Sequence, residues 1–134
     1  LNPTPGSNNN GNQSSQTWID LRYAEVLLIY AEAMAEGAVV GQPKSGMTAD
    51  AALTKVRARV GLDPVAATVE NIYEERRAEL AMEDDRFFDL VRTGKATTVL
   101  ASKGFKANKN EVFPTPANQL QVNTGLDKTP GYTY

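Results

Sequence analysis

Apolar residues recur at helical spacing from Trp18 to Glu36, with Ile19, Tyr23, Val26, Leu27, Tyr30 and Met34 on one stripe. Leu21, Ala24, Leu28, Ala31 and Ala35 form a second stripe on another face. A helix apolar around most of its circumference belongs between neighbours, and its alanines admit another helix at close range. This places Tyr23 and Tyr30 in the core. Gly37 stands where a left-handed residue would stop the helix. A second helix is expected after Thr48, a good N-cap, with Asp50 in its first turn and Leu53, Val56 and Val60 as its apolar face. Gly61 ends it and Pro64 keeps it ended. Thr68 caps a third helix over Val69–Glu83, with Ile72 and Leu80 apolar. Asp84 and Asp85 then interrupt, and Arg86–Arg92 forms a short fourth helix with Gly94 as its stop. Beyond it the pattern predicts a short helix over Ala96–Leu100, extended chain through Phe113-Pro114-Thr115-Pro116 and one helical turn over Ala117–Gln121. A turn follows at Pro130-Gly131-Tyr132. No strand pattern is evident. The expected fold is all-α: antiparallel helix pairs, then a long irregular C-terminal tail anchored by Phe105, Val112, Phe113, Leu120, Leu126 and Tyr132.

Residues 1–16 contain Asn, Ser, Gly, Gln and Pro with almost nothing to bury, and read as a polar loop or linker ahead of a helical portion over residues 17–134. The chain has 134 residues, enough for one core. It starts at Leu1 without a charged, then apolar, leader, so the expectation is a processed protein or a piece of a longer one. Fourteen basic against sixteen acidic side chains leave a net charge of −2, which gives no footprint for nucleic acid. With no His and no Cys, a histidine general base, a Ser-His-Asp triad, a thiolate nucleophile and a Cys- or His-ligated metal are excluded. No cofactor is implied.

The sharpest chemical feature is Glu75, Glu79 and Glu83, stacked at i, i+4 and i+8 on the expected third helix. Paired carboxylates perform glycoside hydrolysis, but two acids on one helix face do not flank a sugar from opposite sides. A carboxylate-bridged di-metal site in a bundle would need Glu-x-x-His, and there is no His. The third reading is a salt-bridge network. Stacked carboxylates repel unless cations lie nearby, and Arg22, Arg57, Arg59, Arg76 and Arg86 are available. Arg suits this because its planar fork meets two carboxylate oxygens at once. The network is expected to join Arg22, Glu25, Glu75, Arg76, Glu79, Glu83, Arg86 and Asp89, with Arg86 reaching Glu83 and Asp89. Such a network fixes helix register more than it adds net stability. Trp18 offers another chemistry. An indole beside Asn9 and Asn10 could stack on a sugar ring while amides bind hydroxyls, or it could simply cover the helix end.

Taken together these residues are familiar. Arg22-Tyr23-Ala24-Glu25-Val26-Leu27-Leu28-Ile29-Tyr30-Ala31-Glu32-Ala33 resembles the signature helix of the SusD/RagB family. Glu75-Arg76-x-x-Glu79-Leu80-x-x-Glu83-x-x-Arg86-x-x-Asp89-Leu90-x-Arg92-x-Gly94 resembles its second signature. Pro114-x-Pro116, Asn123, Leu126 and Pro130-Gly131-Tyr132 resemble its ending. The chain departs from the pattern at Asp84, where the family usually has Gly, and at Lys128-Thr129, where it commonly has Gln-Asn. The resemblance implies tetratricopeptide-like helix pairs and a non-catalytic, surface-exposed lipoprotein of the outer membrane. It implies binding of a glycan or oligosaccharide, or in some branches a peptide, as the lid of a SusC-like TonB-dependent transporter. It further implies that the chain is the C-terminal portion, that the N-terminal remainder of the same protein is a partner, and that one apolar face of the first helix packs on helices outside the chain. No fixed sugar-binding motif transfers onto these positions. The alternative is a helical-repeat interaction scaffold with no role in nutrient binding.

Overall fold

The structure is a computed structural model and describes residues 20–37 and 46–133. Among these residues it is all-helical, without a strand. The order is α1 (Tyr23–Ala35), α2 (Ala49–Ala58), α3 (Val69–Glu79), α4 (Arg86–Arg92), α5 (Ala96–Val99), a 3₁₀ turn (Ala101–Lys103) and α6 (Ala117–Val122). Two compact units divide after Glu79, the first carrying α1–α3 and the second α4–α6.

In the first unit α1 packs on α2 and on α3. Tyr30, in the C-terminal half of α1, donates its hydroxyl to the Met47 carbonyl at 2.6 Å, just ahead of α2. Arg22 and Tyr23, where α1 starts, line a cavity with Lys55 and Arg59 near the end of α2. The two helices are therefore antiparallel. α3 is antiparallel to α1 as well: the Tyr73 hydroxyl donates to Glu36 near the end of α1, while Glu79 at the end of α3 meets Arg22. Leu27, Leu28, Ala31, Ala52, Leu53, Val56 and Ile72 form the core between the three helices.

The helix ends follow local chemistry. Thr48 and Thr68 accept from the backbone N–H three residues on, Ala51 at 3.1 Å and Asn71 at 3.2 Å, as N-cap residues do. Gly37 has φ +79°, which a side chain would resist, and its N–H closes α1 on the Met34 carbonyl. Val60, expected on the α2 face, lies past the helix and is exposed.

Two helices are shorter than their patterns. α1 starts at Tyr23 because Arg22 is extended (φ −132°, ψ 161°), and its guanidinium reaches Glu79. α3 stops at Glu79, four residues before the expected Glu83. The Glu79 carbonyl, which the Glu83 N–H would take in a continuing helix, is held by Arg22 Nη2 instead. The Glu83 N–H turns to the Leu80 carbonyl at 3.2 Å. Met82 and Asp84 then adopt φ +70° and +66°, incompatible with an α-helix. The expected burial of α1 on two faces holds for one. Tyr23 is 64% exposed, and Val26, Ile29 and Ala33 on the same strip are exposed too.

The second unit buries less: Leu80, Leu90 and Ala96 are its buried apolar residues. Its tail is held by side chain to backbone contacts. The Thr115 N–H donates to Thr129 Oγ1 at 2.9 Å, and the Tyr132 hydroxyl donates to the Val112 carbonyl at 2.9 Å. Glu111 accepts from the N–H groups of Asn108 and Lys109, each at 2.9 Å. Val112, Phe113 and Leu126, expected as buried anchors, are exposed, because these polar contacts rather than apolar burial fix the tail.

Candidate functional site

Glu79 is the hub of the charged cluster. It closes α3 between Arg22, just ahead of α1, and Arg59, just past α2. Its Oε1 lies 2.6 Å from Arg22 Nη1, and its Oε2 lies 2.7 Å from Arg59 Nη2, which also reaches Oε1 at 2.9 Å. The side chain is only 6% exposed. Burial works against its charged form, yet the hydrogen bonds and positive charge of Arg22 and Arg59 outweigh it and hold the carboxyl below its ordinary value of 4.5. One turn earlier, Glu75 Oε2 accepts from Arg57 Nη1 at 2.6 Å, and Arg57 Nε donates to the Asp63 carbonyl. On the neighbouring face Arg76 lies 3.8 Å from Glu25 of α1. Each of the three helices thus contributes charge to the cluster.

This arrangement joins Arg22 ahead of α1, Arg59 past α2 and Glu79 at the end of α3 by ion pairs. A general acid needs a raised pKa and an open approach, and Glu79 has neither. Glu75 is buried against an arginine in the same way. Glu83 lies outside α3, so the expected ladder of three carboxylates is a pair. Among the described residues no group of three or more acidic side chains is placed to hold a metal ion.

The structure brings Arg22, Glu25, Glu75, Arg76 and Glu79 together in the first unit. In the second unit Asp89 pairs with Arg92 at 2.8 Å. Trp18, Asn9 and Asn10 lie outside the described residues. Sequence reasoning passed over Glu32, buried in α1; its only signal was an acid flanked by Ala31 and Ala33 in an otherwise apolar run.

A cavity of about 440 Å³ opens between α1 and α2, lined by Arg22, Tyr23, Leu27, Lys55, Val56 and Arg59. Two of its three cations are already engaged by Glu79. Among the described residues no helix is long and apolar enough to cross a membrane.

The family model described as the SusD family matches residues 2–132. A SusD-like protein P2 from Formosa agariphila is 34% identical over 142 aligned positions, covering 92% of this chain and 28% of that protein. A solved laminarin binding SusD-like protein is 45% identical, with a TM-score of 0.73, over 84% of this chain and 22% of that one. The chain therefore spans about a quarter of the length of these relatives. A match of this extent, with both charged signatures and the all-helical architecture in place, establishes that the chain belongs to the SusD family.

Proposed function

We propose that the chain is the C-terminal helical portion of a non-catalytic, surface-exposed glycan-binding lipoprotein of the outer membrane. The protein works with a SusC-like TonB-dependent transporter. One observation carries the glycan assignment: the 45% identity to a SusD-like protein described as laminarin binding. The geometry agrees with it, since Glu75 and Glu79 are engaged in ion pairs with arginines. In this reading residues 17–134 act as one helical portion behind a polar segment, residues 1–16. The cluster of Arg22, Glu25, Glu75, Arg76 and Glu79 sets helix register, while Trp18, Asn9 and Asn10 remain candidates for sugar contact.

The test is affinity electrophoresis of the parent protein through gels containing laminarin. Retarded migration is expected, and Trp18→Ala should weaken it if the indole stacks on sugar. Unretarded migration in laminarin and in a panel of other polysaccharides would count against glycan binding. The exposed strip of Tyr23, Val26, Ile29 and Ala33 on α1 favours a second reading, an interaction scaffold. That reading would gain if substitutions on the strip abolished assembly with a protein partner in a parent that binds no glycan.

A further inference from the structure

The second unit holds an aromatic concavity that its own fold leaves open. Phe87 of α4, Phe105, Phe113 and Tyr132 line a cavity of about 360 Å³, with Lys103 and Asn110 among its polar groups. That volume falls within the roughly 300–1,000 Å³ usual for small-ligand sites. Its walls are joined by ring and hydroxyl contacts. The Phe87 and Phe105 rings lie 6.4 Å apart at 57°. Tyr132 is tethered through its hydroxyl to the Val112 carbonyl, and Lys109 Nζ sits 4.8 Å from its ring centroid.

Phe113 carries the sharpest signal. Thr129 donates to its carbonyl and accepts from the N–H of Thr115, two residues on past Pro114, which holds the backbone around Phe113. Yet the residue is 78% exposed beside the cavity. Burial in this unit does not use that ring.

The polar groups are equally available. The Asn110 side-chain oxygen accepts from the Lys106 N–H at 2.7 Å, which orients the amide and leaves its two N–H donors without a partner among the described residues. Lys103 has no ion pair among them. Glu111 is occupied by backbone N–H groups and brings no free carboxylate. Aromatic faces suit the C–H face of a pyranose, and N–H donors around them suit its hydroxyls.

We infer that this concavity is a glycan subsite, taking a pyranose unit against Phe113 with Lys103 and Asn110 on its hydroxyls. The inference rests on the glycan-binding reading above and places a ligand contact within this chain. The test is calorimetric titration of a laminarin oligosaccharide into the parent protein and its variants, with circular dichroism as the check on folding. Phe113→Ala should weaken binding about tenfold, the scale of a lost stacking contact and its buried area. Phe113→Tyr, which keeps the ring, should stay close to wild type. Lys103→Ala should weaken binding a few-fold. Wild-type affinity in both Phe113→Ala and Lys103→Ala would overturn the subsite and leave glycan binding standing. Failure of the unaltered protein to bind this or any other glycan would overturn the glycan reading, and the subsite with it.

Discussion

The two units solve the problem of order by different means. The first places Leu28, Leu53 and Ile72 out of contact with water and adds ion pairs that tie the ends of three helices. The second buries few apolar side chains and positions its tail by hydroxyls, an amide and a carboxylate on backbone groups. Even its shifted acid tells the same story. Glu111 is lowered mainly by its own backbone N–H, with Asn108 and Lys109 adding to it, whereas Glu79 is lowered by arginines. Apolar burial resists single deletions poorly, because each cavity is felt at close packing. Exposed tail aromatics leave no cavity when removed. The difference thus separates residues that hold the fold from residues available for a ligand.

The largest break in that comparison is Leu53→Ala. Leu53 is fully buried in the α1–α2–α3 core, and its truncation should cost about 2–5 kcal/mol in urea unfolding. Phe113→Ala, although it removes a larger side chain, should cost less than about 0.5 kcal/mol because that ring is exposed. Equal losses would show that the tail buries Phe113 after all and would erase the contrast.

Glu79→Gln comes next. It keeps the shape of the side chain but leaves Arg22 and Arg59 facing a neutral amide, for an expected loss of about 1–3 kcal/mol at pH 7. The pH dependence follows from the lowered carboxyl. Between the folded value and 4.5 the unfolded chain binds more protons than the folded one, so stability rises with pH through that window. The wild type should hold this contribution fully above 4.5 and lose it as pH falls through the folded value. The gap between wild type and Glu79→Gln, read from thermal unfolding at a series of pH values, should therefore close in acid. A gap independent of pH would mean that packing, not charge, is what Glu79 supplies.

The same contrast explains how much was legible in the sequence. Periodicity marks α1, α2 and α3 because one face of each is buried at 3.6-residue spacing, and Thr48, Thr68 and Gly37 announce ends that the backbone then adopts. Periodicity cannot show that Arg22 reaches across 57 positions to the Glu79 carbonyl, so the pattern extends both helices it touches too far and puts Glu83 on a face it does not share. In the tail the apolar residues read as anchors, because apolar residues usually are. Thr115, Thr129 and Asn110 hold that region without any repeat to reveal them. Lys103 and Asn110 carried no spacing signal toward the concavity, which four aromatics from distant positions assemble only once the tail is folded.

A smaller break tests the tail's polar construction. Gly131 adopts φ +82°, and a Cβ there would lie 3.2 Å from Cβ and Cγ of Lys109, whose ammonium faces Tyr132. Gly131→Ala combines left-handed strain with that close approach and should cost about 1–2 kcal/mol. Hydrogen exchange should localise the loosening to residues 109–132, with the amides of α1–α3 unaffected. Protection lost equally in both units would show that they unfold together.

The smallest effect sharpens the comparison at the boundary. Met82 and Asp84 both take left-handed conformations in the turn between α3 and α4, and Asp84 stands where the family usually has Gly. A non-glycine residue there carries a strain that Asp tolerates better than most, since its short polar side chain bonds locally. Asp84→Gly removes the strain but widens the unfolded ensemble, so the two effects partly cancel. The expected net gain is at most about 1 kcal/mol, seen as a higher urea midpoint at constant slope. Asp84→Ala should move the midpoint the other way, because it keeps the Cβ and loses the polar group. The ordering Gly above Asp above Ala is what a left-handed turn requires. If Ala equalled Gly, the turn would not need this conformation, and α3 would be free to run on through Glu83, returning the third carboxylate to the face of Glu75 and Glu79.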